Sequence, residues 1–470
     1  MKKTKKFIPL LSIFLVLPVA SSCGGGTSGG NGDEINVCII EAGIGEEWLS
    51  LMADLYYEET GTTVNYYTDI GLDGNLKQSM GVGSAEEDLY LAPNTYDWIS
   101  WVANDKVEPL TDIAAKKYED GTTIESKIKE EIAPLGIVKG ERYIIQLTYA
   151  PTGFVYNADL LQSLGYEEFP DTWNGLLQLC DDVLAAEKTV NGRKVMPFVW
   201  GTNTMFDLYK TLWAQGDYEK FRAYFAQDGA SPDEELFLSQ ERLTALEAIY
   251  DLLAPDADYS TTSVTGMLGE GHLVAQEAFL QGYAAFCFSG AWFEEEMHSI
   301  IDDSTFTYSF ADVPALEGNA IAVNINYPTE YFFIPSFASN PEGAKDFLYF
   351  MLREDNLIKI HQAMQTPLAF EYDTTRVEYT RWGKECQEVA ENPEHRKIIA
   401  GASTTRYLSG GIRPEFMSRD PFTLMCQGNG TDKKGIKREN LNTLLIENLG
   451  KFRDSWEAAY RKAQALDELL

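Results

Sequence analysis

Residues Gln281–Met297 read QGYAAFCFSGAWFEEEM, and the fold turns on how this stretch divides. Tyr283–Phe288 is a short apolar run of strand character. Ser289-Gly290 follows as a turn, where Gly290 lets the backbone bend sharply because it has no Cβ to clash. A helix then opens on Ala291-Trp292-Phe293 and continues into Glu294, Glu295 and Glu296. Those acids are expected on a solvated helix face, with a dipole benefit at the first turn. The division sets a large aromatic, Trp292, at a helix start just beyond a strand's carboxyl end. In open α/β sheets that is where ligands bind.

Working outward, the same alternation recurs. Ile35–Glu41 is a strand, Glu46–Thr60 a helix stopped by Gly61 with Trp48, Leu49, Met52, Leu55 and Tyr56 on one face, and Thr63–Tyr67 a second strand. Asp88–Ala92 is a third strand, leading into Pro93-Asn94-Thr95-Tyr96, where Asn94 or Thr95 can cap the helix that follows. Such β-helix-β repetition specifies an α/β fold with mostly parallel sheets. In Arg142–Asn157 two strand-like runs flank Ala150-Pro151-Thr152-Gly153, and Pro151 and Gly153 are expected to interrupt the strand where the chain passes from one sheet to another. Trp173 begins an amphipathic helix and reads as packing. Val195–Trp213 is a strand, a Gly-Thr-Asn loop and a helix, with Trp200 at the strand's end. Leu441–Leu469 is a long charged helix whose Leu444, Leu445, Leu449, Phe452 and Trp456 form a packing stripe.

The chain's 470 residues are enough for two domains, and 44% hydrophobic with 12% aromatic residues can fill two cores. Met1–Cys23 reads as a bacterial export signal: Lys2, Lys3, Lys5 and Lys6, then the apolar run Phe7–Ala20, too short to span a bilayer. It ends Ala20-Ser21-Ser22-Cys23, which resembles a lipobox whose Cys23 becomes the lipid anchor, although Ala20 stands where Leu is usual. Gly24–Gly32 (GGGTSGGNG) is a flexible tether. Without the four signal lysines, 34 basic residues face 72 acidic ones, a net charge near −38. That balance disfavours nucleic acid and anionic lipid as partners and favours a neutral or cationic ligand. Six cysteines with Cys23 lipidated leave an odd number, so no disulfide framework is expected. Cys38, Cys180 and Cys287 read as buried hydrophobes, and a Cys386–Cys426 bridge stays open.

Signals for catalysis are sparse. His272, His298, His361 and His395 stand isolated without metal-ligand spacing, and no GxSxG, P-loop or GxGxxG is placed after a strand. No metal or cofactor is expected. Signals for binding are more coherent, because aromatic or polar residues recur at strands' carboxyl ends: Glu41, Asn94, Tyr96, Tyr149, Trp200, Trp292 and Tyr331. A pyranose offers apolar C–H faces to an aromatic ring and hydroxyls to polar groups at its rim, so this mixture suits a neutral sugar.

The stretch around Trp292 resembles the "aF..GkaAM...G.W" block of the family 1 extracellular solute-binding proteins of ABC transporters, the maltose-binding-protein-like group. Arg142–Trp173 is similar to that family's "lPy...g.vYNkdlf...G...P.TW.el" segment, and Ser339–Leu352 to its "s.npe.A..Fl.fl" block. The resemblance covers roughly residues 35–355. It implies a two-lobed type II periplasmic-binding-protein-like fold, each lobe a mixed, mostly parallel sheet flanked by helices. The lobes expected are 35–147 plus 313–352 and 148–312 plus 353–470, with crossings near Thr148–Thr152, Tyr308–Val313 and Leu352–Asn356. It further implies that Trp292 stacks on a sugar, that the Asn94–Tyr96 loop faces the ligand, and that the Gly410–Phe416 loop brings Arg413 to the cleft. The function implied is a monomeric, lipid-anchored, extracytoplasmic binding protein that passes an oligosaccharide to an ABC permease. Competing readings are a surface glycoside hydrolase or lyase, an adhesin, and a receptor for a cationic solute such as a polyamine.

Overall fold

The computed structural model describes residues 34–40, 43–69, 72–84, 86–93, 98–227, 229–260, 272–301, 304–316, 323–328, 330–399, 421–427 and 435–470. Cys23, Glu41, Asn94, Tyr96 and Arg413 lie outside them. In chain order the strands are β1 (Glu34–Ile40), β2 (Thr63–Asp69), β3 (Leu89–Pro93), β4 (Ile137–Val138), β5 (Glu141–Arg142), β6 (Ile145–Gln146), β7 (Ala150–Asn157) and β8 (Thr189–Val190). They continue as β9 (Arg193–Lys194), β10 (Met196–Val199), β11 (Ala284–Gly290), β12 (Tyr308–Ala311), β13 (Val323–Tyr327), β14 (Glu330–Phe333) and β15 (Arg396–Ile399). Two sheets carry the fold, and β4–β5 and β8–β9 are small hairpins beside them.

The first sheet runs β2-β1-β3-β14-β6, with β1 parallel to both neighbours and β14 antiparallel to β3 and β6. Five of the seven residues of β1 are buried, as expected of a strand covered on both faces. One face carries Ile35, Val37 and Ile39 against Trp48, Leu49 and Met52 of the helix Glu47–Thr60 and against Phe347, Leu357 and Ile360. The other carries Cys38, Tyr90 and Phe333 against Leu76 and Met80. Gly61 ends the first helix at φ 76°, donating its N–H to Tyr57 O, a left-handed cap that glycine adopts without strain.

The second sheet runs β10-β11-β7-β13-β15, and β12 pairs with β7 beside β13. It is mixed: β10–β11 and β13–β15 are parallel, whereas β7 is antiparallel to β11, β12 and β13. Phe154, Phe198, Phe286 and Phe288 fill one face with Trp173 and Trp213, so Trp173 is a packing residue, as its helix pattern implies. The long helix Leu441–Leu469 closes that core through Leu445, Phe452 and Trp456. Val155, Val199 and Cys287 face the other side, with Phe279, Phe293 and Trp382.

The passages between the sheets differ from the sequence expectation. Pro151 and Gly153 lie inside a continuous β7, and the change of sheet comes just before it, at Leu147–Tyr149. Gly153 serves close strand pairing, since a Cβ there would lie 2.2 Å from the Ala311 carbonyl oxygen of β12. β13 and β14 follow closely in sequence but divide between the sheets: β13 belongs to the second and β14 to the first. The crossing expected near Tyr308–Val313 therefore falls between β13 and β14. The crossing expected near Leu352–Asn356 lies later still, because Leu357, Ile360, Leu368 and Phe370 belong to the first sheet's core, and Trp382 to the second sheet's. Cys38, Cys180, Cys287 and Cys386 are buried free thiols and Cys426 a half-buried one, so the Cys386–Cys426 bridge is not formed.

Candidate ligand-binding site

Two loops meet where β1 and β11 end. The loop after β1 carries Gly43 and Gly45 into the first long helix, and the Trp48 indole N–H donates to Gly45 O at 3.1 Å. The loop after β11 holds Ala291 and Trp292 ahead of the short helix Phe293–Glu296. It is fixed to its own sheet: Ala291 N donates to Pro151 O at 3.0 Å, and the Trp382 indole N–H donates to Ala291 O at 3.2 Å.

Trp292 is half-buried at this junction. A Cβ on Gly290 would come within 2.4 Å of its indole, so the ring lies over Gly290. Gly290 is thus required for room beneath the ring rather than for a sharp turn, and it pairs with Thr152 as the last residue of β11. On the other side, a Cβ on Gly43 would come within 2.4 Å of Trp292 Cβ and 2.9 Å of Glu296 Cγ. Trp292 therefore sits at the meeting of the two loops, its indole over Gly290 and its Cβ against Gly43.

The three acids behind Trp292 are not the solvated face that the sequence suggests. Glu296 accepts from the Gln276 amide at 2.9 Å and lies 3.0 Å from His272 Nε2. Burial pulls His272 down, but the hydrogen bond and charge of Glu296 more than offset this and hold it above its ordinary pKa. Glu294 accepts from the Tyr308 hydroxyl at 2.6 Å and is raised by burial. Glu295 is raised by burial too and projects to Gly45, where a Cβ would meet its carboxylate at 2.8 Å. His272, read as isolated, belongs to this cluster.

The other expected site residues separate. Trp200 follows β10, half-buried and packed on the Phe198–Phe286 core. Tyr331 is fully buried on β14, an inner strand, 6.1 Å from the ring of Phe333. It is a core residue, against the expectation of a ring facing ligand. Tyr149, also 0% exposed, occupies the passage between the sheets with Lys129 Nζ 5.2 Å and Lys397 Nζ 5.6 Å from its ring. Beside it β13 turns Asn324 and Asn326 into the interior. Asp312 lies next to Asn324 with its pKa pushed up to about 7 by burial, 3.5 Å from His395 Nδ1. Sequence reasoning passed over these polar residues, although Asn324-Ile325-Asn326 in an apolar strand is a legible alternation. Among the described residues no cluster of three His, Cys, Asp or Glu could hold a metal ion, and no helix is long and apolar enough to cross a membrane.

Residues 41–357 match the family model of the bacterial extracellular solute-binding proteins, and the chain belongs to that family. Solved structures with the same fold include RafE from Streptococcus pneumoniae in its apo form, 16% identical with a TM-score of 0.64 over 91% of this chain and 100% of that one. A Thermus thermophilus maltotriose-binding protein bound with maltotriose is 16% identical, TM-score 0.62, over 89% and 99%. A chitin oligosaccharide binding protein is 17% identical, TM-score 0.63, over 89% and 100%. No curated protein matches the chain in sequence. The architecture is therefore the type II periplasmic-binding-protein-like fold, as the sequence resemblance implied.

Proposed function

We propose that the chain is an extracytoplasmic carbohydrate receptor of an ABC importer that captures an oligosaccharide between its two sheet-centred lobes. The observation that carries this reading is Trp292, a half-exposed indole standing where the loops after β1 and β11 meet. A ring at that position offers a flat apolar face to a sugar, and the neighbouring carboxylates and backbone groups supply acceptors and donors for hydroxyls. Trp200 is a second aromatic available to the same lobe. Asn94, Tyr96, Glu41 and Arg413 complete the proposed site by family resemblance. The family supports a solute-binding role, and relatives of this fold were solved with raffinose, maltotriose and cycloalternan.

Each lobe takes one sheet: β1, β2, β3, β6 and β14 in the first, β7, β10, β11, β12, β13 and β15 in the second. Ligand contacting both stabilises the closed arrangement, since only contacts absent from the open state shift that equilibrium. A permease then reads closure. Cys23 anchors the protein as a monomer outside the membrane, and the tether behind it gives the lobes reach. No turnover accompanies binding.

A thermal-shift screen with raffinose, maltotriose, chitin oligosaccharide, spermidine and amino acids tests the reading, because a ligand of the folded state raises the melting temperature. Stabilisation by an oligosaccharide returned intact supports it. Stabilisation by spermidine alone supports the cationic-solute alternative, and shortened sugar supports a hydrolase.

A further inference from the structure

The junction itself contains a feature that neither the family resemblance nor the proposed sugar platform explains. Gly43 and Gly45 belong to the first sheet's loop, Trp292, Glu295 and Glu296 to the second sheet's, and they are in close contact. At Gly43 an added Cβ would meet Trp292 Cβ at 2.4 Å, Glu296 Cγ at 2.9 Å and the Trp292 carbonyl oxygen at 3.0 Å. Two of those atoms are backbone or the first atom of a side chain, which cannot swing aside as the end of a long side chain can.

Both loops are also held from behind. Pro151 O and the Trp382 indole fix Ala291. Gln276 donates to the Ser289 hydroxyl at 3.1 Å and to Glu296 at 2.9 Å. Trp48 fixes Gly45 O, and Trp48 is itself fully buried in the first core. Both loops are tied to their own lobes, so a methyl group between them is expected to be accommodated by moving one lobe away from the other.

We infer that Gly43 is a positioning residue for lobe closure: its missing Cβ lets the Trp292–Glu296 segment seat against the first lobe and brings Trp292 to its binding position. The inference rests on the two-lobe sugar-receptor reading for its consequence, though the seam is a property of the chain alone. Gly45 contributes less by this mechanism. There a Cβ meets only the Glu295 carboxylate, the movable end of a side chain, and the cost comes instead from its φ of +61°.

The test is amide hydrogen exchange on wild type, Gly43→Ala and Gly81→Ala, the last a glycine with nothing within 4 Å of an added Cβ. Each protein is measured alone and with saturating raffinose or maltotriose. The inference expects Gly43→Ala to speed exchange across residues 291–297, far away in sequence, while β1 and β11 keep wild-type protection and Gly81→Ala changes nothing. Where a sugar binds, affinity falls about tenfold, as expected if the closed fraction falls by that factor. Wild-type exchange at 291–297 in Gly43→Ala, with and without sugar, overturns the inference. If no sugar alters wild-type exchange but Gly43→Ala still exposes 291–297, the seam stands and the sugar-receptor reading fails. Loss of protection throughout β1 and β11 would make Gly43 a folding residue and also overturn the inference.

Discussion

Lys129 Nζ lies 2.6 Å from Glu391 Oε1, joining a segment packed on the first sheet to the end of the helix Arg381–Glu391, which packs on the second. The Lys129 side chain is 7% exposed and also meets Glu371 at 3.3 Å and the Tyr149 ring. Burying an ammonium is costly unless it stays paired. Glu391→Gln leaves Lys129 with the exposed Glu371 alone, and should lower unfolding free energy by about 1–3 kcal/mol in a denaturant melt. An unchanged melt would mean that the pair adds nothing to stability.

Gly153→Ala tests the strand pairing of the second sheet. The methyl group would be driven against the Ala311 carbonyl oxygen, so β12 must part from β7. A loss of about 1–3 kcal/mol is expected, the usual cost of overpacking. Denaturant unfolding measures it, and a neutral substitution would contradict the strand register described.

Asp312 carries a pH dependence whose sign can be fixed. Its folded pKa, about 7, stands above the ordinary 3.8 because burial disfavours its charge. Such an acid favours the folded state while protonated. The contribution is complete below about pH 4 and is lost as pH rises through about 7. His395 beside it is lowered by burial and acts in the opposite sense, losing its contribution as pH falls. Asp312→Asn isolates the acid: relative to wild type it should gain stability as pH rises across that window. Parallel curves for the two proteins would refute the assignment.

Much of the fold is legible in local sequence pattern. The apolar run at Tyr283–Phe288, the helix that begins at Trp173, and the β-helix-β opening each follow from neighbouring residues alone, and each is present in the folded chain. What local pattern misses is non-local. Pro151 and Gly153 look like breakers in isolation, yet β7 runs straight through them because Ala311, distant in sequence, needs the space a side chain would fill. Glu294–Glu296 look like a solvated run because sequence does not show His272, Gln276 and Tyr308 arriving to bind them. Tyr331 matches the strand-end pattern, but strand position alone does not reveal that β14 is an inner strand with both faces covered.

Tyr331 therefore provides a contrast for the site. Tyr331→Ala opens a cavity in the first lobe and should cost about 3–5 kcal/mol of stability. Tyr331→Phe, which keeps the ring, should leave sugar affinity within about twofold of wild type. Calorimetric titration beside a melt checks both, and a large affinity loss in Tyr331→Phe would return the hydroxyl to the site.

Trp292 is the ring on which the proposed sugar stacks, and one calorimetric titration of Trp292→Ala tests that role most directly. The titrant is the oligosaccharide that most stabilises wild type in the thermal screen. A half-exposed indole between two lobes should be worth about 2–4 kcal/mol of binding, the range for a buried aromatic anchor, while the ligand-free melt changes little. Near-normal affinity in a variant destabilised by about 3–5 kcal/mol would contradict the account and leave Trp292 as packing between the lobes.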